Sequence, residues 1–300
     1  MLATIRRPVA GFAILITAAL AVSGCGDSAK SATGPSAAPS KSNSKVAAEV
    51  PARVKAKGTL TVATDATYPP NEFVAGDGHT VIGWDPELIN ALGASMGLKV
   101  KIVNAPFDSI LPGLASGKYD IGMAGFTDTK EREKTVDFVT YFSAGTSFYV
   151  KTQGGPAIST LSDLCGRKVA VEKGTVQQDY ATGQSKKCKA AGRPAVDVLT
   201  FPDQNGANLA LSSGRAEVGM ADSAPAAWLT KQSGGRLKVV GKPFGTAPYG
   251  VAVPKGTGMP KPVLDALKVT MANGTYDAIL RKWGIQDGAI HDPVINGAQG

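Results

Sequence analysis

Apolar and polar positions along the chain switch between two periods, and the switches mark out its elements. The run from Thr59 to Thr64 predicts a strand. Asp85-Pro86-Glu87 predicts a helix start, with Asp85 as N-cap and proline in the first helical position. Leu88, Ile89, Leu92 and Met96 then hold one apolar face until Gly97 stops the helix. Lys99 to Val103 reads as the next strand. Asp108 is expected to cap a short helix carrying Ile110, Leu111 and Leu114, with Pro112 tolerated in its first turn. Ile121 to Ala124 predicts a buried strand, and Thr129 to Lys134 a charged helix. After Tyr141 the alternation restarts. Strands are expected at Ser147–Val150, Lys168–Val171 and Val196–Thr200, with helices starting near Thr175, Asn205 and Ser223. A strand at Tyr249–Val253 precedes two helices, Lys261–Ala272 and Thr275–Trp283.

Strand–helix alternation predicts an α/β chain with mainly parallel sheets. It comes in two sets, and the closing segment is too small to stand alone, so it is expected to return to the first set. The resulting division is a first lobe over 58–148, a second over 149–246, a return segment over 247–288 and a tail over 289–300.

The N-terminal fifty residues follow neither period. Arg6 and Arg7 precede fourteen largely apolar residues, Val9 to Val22. That is shorter than the roughly 20 residues a membrane-spanning helix needs, and it suits the core of a signal peptide. Val22-Ser23-Gly24-Cys25 resembles the lipobox of bacterial lipoproteins, which implies cleavage before Cys25 and lipidation of its thiol. The other reading is a secretory signal with an incidental cysteine. Residues 1–24 are thus read as the signal and 25–57 as a lipid-anchored flexible linker. Its stretch from Gly26 to Val50 is rich in Ser, Ala, Gly and Pro, lacks aromatic residues, and would span roughly 25–30 Å as a flexible coil. This places the folded part on the extracytoplasmic face of the cell membrane.

Composition narrows the chemistry. With 43% hydrophobic and 19% charged residues among 300, the bulk of the chain is not intrinsically disordered. The formal charge of +8 falls to +6 without Arg6 and Arg7, and it is scattered, with no basic run to suggest nucleic-acid binding. Two histidines, His79 and His291, are too few for a histidine metal cluster. Neither a metal nor a cofactor is implied, and no catalytic motif stands out. Cys165 and Cys188 form an even pair in an oxidising compartment, so a disulfide is expected.

Several short motifs occur in a fixed order. They are Thr64-Asp-Ala-Thr-Tyr-Pro-Pro70, Phe107-Asp-Ser-Ile-Leu-Pro112, Ser116-Gly-Lys-Tyr-Asp120, Thr127-Asp-Thr-Lys-Glu-Arg132 and Val136-Asp-Phe138. Gly214-Arg215, Asp222, Asn273-Gly-Thr-Tyr276 and Lys282-Trp283 continue the series. Together they resemble the family 3 solute-binding proteins, polar amino-acid receptors of ABC importers, over nearly all of 58–284. The resemblance implies the type II periplasmic-binding fold: two α/β lobes joined by two strands that close on ligand like a clamshell. The connectors would lie near Ser147–Lys151 and Tyr249–Val253.

The resemblance also implies a site. Arg132 matches the arginine whose planar fork binds an α-carboxylate, although Lys130 to Lys134 taken alone reads as a solvated helix face. Thr127 holds the matching hydroxyl position, and Gly125 would bring its backbone close to the ligand. Thr175, Val176 and Gln177 open a helix whose N–H groups would meet the same carboxylate. Asp222 matches the carboxylate that holds the α-ammonium, while Asp222-Ser-Ala-Pro225 equally suits a helix cap. Tyr68 and Phe107 match aromatic walls, and Asp65 either contacts the ligand side chain or fixes its own loop. Asn71 stands where the family commonly has an aromatic residue, and Ala124-Gly125 replaces a serine-bearing pair. Glu72 would either favour a cationic ligand or be an exposed loop glutamate, and the second is the reading taken. The function implied is capture of a free polar amino acid, delivered by a monomer to a membrane permease, with no enzymatic step. The alternatives are a dehydratase-like enzyme on the same fold, or a sensor that signals in trans.

Overall fold

The computed structural model describes residues 42–299. The signal segment, the lipobox and Cys25 lie outside the described residues.

Residues 44–57, expected to belong to a flexible linker, instead form two short helices, α1 (Ser44–Glu49) and α2 (Ala52–Lys57). Asn43 caps α1 by accepting from the backbone N–H groups of Lys45 and Val46. Val46, Val50 and Val54 are buried in the first lobe's core, which is why the segment is not a free tether. Strand β1 (Thr59–Thr64) follows, then a small antiparallel sheet of β2 (Thr67–Tyr68), β3 (Glu72–Val74) and β4 (Val81–Ile82).

Helix α3 (Trp84–Ser95) begins one residue before the expected cap. Asp85 therefore sits inside the helix, and its carboxylate accepts from the Tyr141 hydroxyl at 2.9 Å rather than capping. Strand β5 (Lys99–Asn104) pairs parallel to β1. Helix α4 (Phe107–Ala115) starts after Pro106, and Asp108 makes no cap but pairs with Lys173 of the second lobe at 2.8 Å. Strand β6 (Ile121–Gly122) lies on the other side of β1. The charged segment that follows is only a short 3-10 turn at Arg132–Lys134, not a helix from Thr129.

The two connectors are far longer than the sequence suggested. Strand β7 runs Val136–Lys151 and is almost continuously buried, because helices or loops cover both of its faces. It leads into the second lobe, where β8 (Lys168–Glu172), α5 (Val176–Ala190), β9 (Asp197–Phe201), α6 (Gln204–Ser212), β10 (Val218–Asp222) and α7 (Ser223–Gln232) form a parallel unit. Strand β11 (Leu237–Pro254) then returns antiparallel to β7 along almost its whole length. Helices α8 (Pro260–Ala272) and α9 (Thr275–Trp283) pack back on the first lobe.

The two strand sets are joined by β7 and β11 into one ladder, β5-β1-β6-β11-β7-β10-β8-β9. Its register slips between Val240 and Phe244 and again between Phe244 and Ala247. These irregularities interrupt regular pairing in the stretch that passes from one lobe to the other. Separate apolar clusters support the lobes: Trp84, Leu88 and Leu267 belong to the first, and Phe148, Val169 and Met220 to the second. Between them, Trp228 of α7 meets Phe73 and Trp283 of the first lobe, with ring centroids 6.3 and 6.2 Å away.

Residues 289–300 were expected as a C-terminal tail separate from the lobes. Instead the chain from Val294 runs along the outer edge of β7, with Val294 and Thr140 exchanging hydrogen bonds and Asn296 accepting from the Phe138 N–H at 2.8 Å. The backbone N–H groups of Gly297 and Ala298 then donate to the Asp128 and Glu133 carboxylates, on either side of Arg132.

Cys165 and Cys188 are joined in a disulfide that ties the start of the second lobe to α5 across a sequence separation of 23. Closing a loop of that length stabilises by about 3 kcal/mol in the chain-entropy model. The Cys165→Ala/Cys188→Ala variant is expected to melt roughly 6–12 °C lower, at about 2–4 °C per kcal/mol for a chain this size. An unchanged calorimetric melting temperature would refute a stabilising role.

Candidate functional site

Where the lobes face one another, the ends of β1, β8 and β10 and the turn after β6 enclose a narrow, nearly closed cavity of about 10 Å³, room for about one water. The first lobe lines it with Asp65, Tyr68, Phe107, Gly125, Thr127 and Arg132. The second contributes Thr175, Val176, Gln177 and Asp222. The ten residues proposed from sequence thus converge, and Glu72, Ala124 and Glu172 complete the wall.

Arg132 spans the cleft. One guanidinium nitrogen donates to the Thr127 carbonyl at 2.8 Å and the other to the Gly174 carbonyl of the second lobe at 2.9 Å. Its plane lies against the Phe107 and Phe126 rings, 5.4 and 5.6 Å from their centroids. Burial lowers its pKa to about 10, partly offset by the charges of Asp179, Asp222 and Asp128, so it stays cationic at neutral pH.

Asp222 does not serve as the helix cap that the sequence allowed. It occupies the N-cap position of α7, yet its carboxylate makes no cap hydrogen bond. The side chain turns to the cavity, accepting from the Tyr68 hydroxyl at 3.1 Å and the Gln177 amide at 2.8 Å. Gln177 also donates to Thr146 of β7, which fixes the amide's orientation. Tyr68 is therefore more than an aromatic wall. It reaches from the first lobe into an apolar cluster of the second and joins the two by hydrogen bonds.

Other roles shift as well. The Asp65 carboxylate accepts from the Thr67 hydroxyl at 2.7 Å and the Phe107 N–H at 2.8 Å, so it fixes its loop while also facing the cavity. The Gly125 N–H points to Asp85 at 3.3 Å, not into the cavity, and its φ of 56° suits a residue without Cβ. Thr175 caps α5 through its hydroxyl, which accepts from the Gln178 N–H and donates to the Glu172 carbonyl. Asn71 accepts from the Trp84 indole at 2.8 Å in the core of the first lobe. Glu72 is fully buried rather than an exposed loop residue, because the β3 register turns it inward.

The electrostatics are one-sided. Glu72, Asp65, Glu172 and Asp222 all face the cavity and all are buried, against one arginine. Both carboxylate oxygens of Glu72 and one of Glu172 have no hydrogen-bond partner. Burial, then the charge of Asp65, raises the Glu172 pKa to about 10. Burial raises Asp222 to about 6, with the hydrogen bonds from Tyr68 and Gln177 pulling the other way. Burial and the neighbouring Asp85 push Glu72 well up, and burial takes Asp85 itself to about 7.

A two-lobed α/β body on paired crossing strands, with a polar cavity between its lobes, defines a closing receptor for a small polar solute. The chain belongs to the bacterial extracellular solute-binding proteins, family 3, whose model matches residues 60–286. It is 33% identical over 253 residues to the arginine-binding protein ArgT of Corynebacterium glutamicum, covering 84% of this chain and 83% of that one. A solved ancestral arginine-binding protein bound to arginine is similar at 39% identity and a TM-score of 0.70, covering 75% of this chain and 98% of that one. An ancestral amino acid-binding protein, AncCDT-1, described as a precursor of cyclohexadienyl dehydratase, matches at 35% identity and a TM-score of 0.67, over 77% and 97% of the two chains.

Carboxyls whose folded pKa exceeds their unfolded value favour the folded state below about pH 4 and lose that contribution as pH rises through the folded pKa. For Asp222, Asp85 and Glu172 this loss runs from about pH 4 upward through about 6, 7 and 10. The ligand-free protein is therefore expected to melt several degrees lower at pH 8 than at pH 5 by scanning calorimetry. A melting temperature that rises over that interval would contradict the assignment.

Proposed function

We propose that this protein is the receptor of an ABC importer, capturing a free amino acid with a cationic side chain and handing it to a membrane permease. The observation that carries the reading is the surplus of buried carboxylates over cations in the interlobe cavity. Buried negative charge of this kind needs a cation or a proton. The names of the arginine-binding relatives agree with it.

In this reading each part of an amino acid meets a group of matching chemistry. Arg132 spends two donors on carbonyls, and its remaining N–H groups are available to an α-carboxylate. The N-terminus of the fifteen-residue α5 adds N–H groups and a favourable dipole from the opposite lobe. Asp222, aligned by Gln177 and Tyr68, takes the α-ammonium. Phe107 and Tyr68 flank the aliphatic stem, and the carboxyls of Asp65, Glu72 and Glu172 receive the distal cation. Ligand bridging the lobes favours their closed arrangement. The receptor is held at the outer membrane face through a lipid on Cys25, ahead of the described residues.

A thermal-shift panel of the amino acids tests this. A ligand at about 100 times its dissociation constant adds about 2.7 kcal/mol, or several degrees. Lysine, ornithine or arginine should shift the melting temperature, and Arg132→Ala should abolish the shift while keeping the ligand-free circular dichroism spectrum. A response confined to neutral or acidic amino acids would overturn the cationic assignment. The dehydratase-related neighbour makes conversion of the bound ligand a second readout: chemically unchanged ligand recovered after incubation is the expected result.

A further inference from the structure

Glu172 ends β8 in the second lobe, and Asp65 follows β1 in the first. Their carboxyl groups line the same narrow cavity from opposite lobes. Asp65 already accepts from Thr67 and Phe107, while one oxygen of Glu172 has no partner and the residue is only 3% exposed. Among the described residues, no lysine or arginine forms an ion pair with either. The adjacent Lys173 turns outward to Asp108. Asp203 at the start of α6 and Asp222 at the end of β10 add negative charge from the second lobe, and Glu72 of β3, backed by Asp85, adds it from the first. Arg132 is the cation of the cavity wall, and its own partners are carbonyls.

Two ionised carboxylates so placed repel, and because each belongs to a different lobe the repulsion opposes closure. The Glu72–Asp85 contact lies within the first lobe and exerts no such force between lobes. We propose that Glu172 is a specificity-determining residue: it shares a proton with Asp65 in the empty closed site and exchanges that proton for the distal cation of the ligand. The proton leaves to solvent as the cation enters, one positive charge for another, so closure is conditional on a cation or a proton between the lobes. This rests on the reading of the cavity as an amino-acid site.

L-arginine and L-citrulline differ at the distal group, guanidinium against neutral ureido, and share the α-ammonium and α-carboxylate. Any titration of Asp222 therefore affects both alike. At pH 8 the wild-type protein should bind L-arginine at least about a hundredfold more tightly than L-citrulline, and Glu172→Gln should reduce that ratio by about tenfold or more. Calorimetry in phosphate and in Tris, whose ionisation enthalpies differ, should show about one proton released per L-arginine and almost none per L-citrulline. Glu172→Gln should release almost none with either. Asp65→Asn, the reciprocal variant, should lower the ratio in the same direction. Binding of L-arginine without proton release, or an unchanged ratio in Glu172→Gln, overturns the exchange and leaves the receptor reading standing. No binding of either ligand, or of any amino acid in the thermal-shift panel, overturns both.

Discussion

An ionised carboxylate taken out of water costs several kcal/mol unless a cation, a proton or several hydrogen bonds replace its hydration. The cleft of this protein places several such groups around one cavity and offers a single arginine in return. Much of the surrounding geometry follows from accommodating them. Asp222 gives up the capping of α7 for Tyr68 and Gln177, Asp85 is drawn into its helix toward Tyr141, and Asp65 is held by a hydroxyl and a backbone N–H. Each device keeps a carboxyl aimed at the cavity or close behind it. What they leave unmet are Glu72 and Glu172, which present oxygens without partners.

The scaffold that carries these groups is set by two long strands. Because β7 and β11 pair along almost their full lengths, the lobes are held by backbone hydrogen bonds and not by side-chain packing alone. Register slips between Val240 and Ala247, and another between Tyr249 and Gly250, interrupt this ladder. Among the described residues, other contacts between the lobes include Tyr68 on Asp222, Arg132 on the Gly174 carbonyl, the Gln204 N–H on the Thr67 hydroxyl, Lys173 on Asp108 and the aromatic group around Trp228. An architecture of this kind can open without unfolding either core.

Strand–helix alternation was enough to read the α/β class, the two sets of elements and the return of the last helices, because apolar periodicity reports burial directly. The ordered motifs brought ten lining residues together. Local pattern failed where long-range contacts decide the outcome. Val46, Val50 and Val54 look sparse in a Ser- and Ala-rich segment, yet packing of α1 on α8 and of α2 on β1 makes them part of the core. Glu72 follows a turn and reads as solvated until the β2–β3 register turns it inward. Glu172 sits at the end of an apolar strand, and only its juxtaposition with Asp65 across the cleft gives it a role. A charged residue terminating a buried run was the one sequence signal available. The tail at 294–298 shows no periodicity because it is held by backbone and Asn296 hydrogen bonds to β7 rather than by an apolar face.

Both ends of the described chain belong to the first lobe. Residue 43 hydrogen-bonds to Ser95 of α3, Glu49 pairs with Lys261 of α8, and the last residues grip the turn that carries Arg132. The second lobe is thus an insertion, hung between two strands, with no free end of its own. In mechanical terms the first lobe is the stator and the second the moving arm. The N-terminal segment and the carboxyl terminus are thus both carried by the first lobe, and the C-terminal residues lie against the turn of Arg132 and against β7, the parts of that lobe that reach the moving arm.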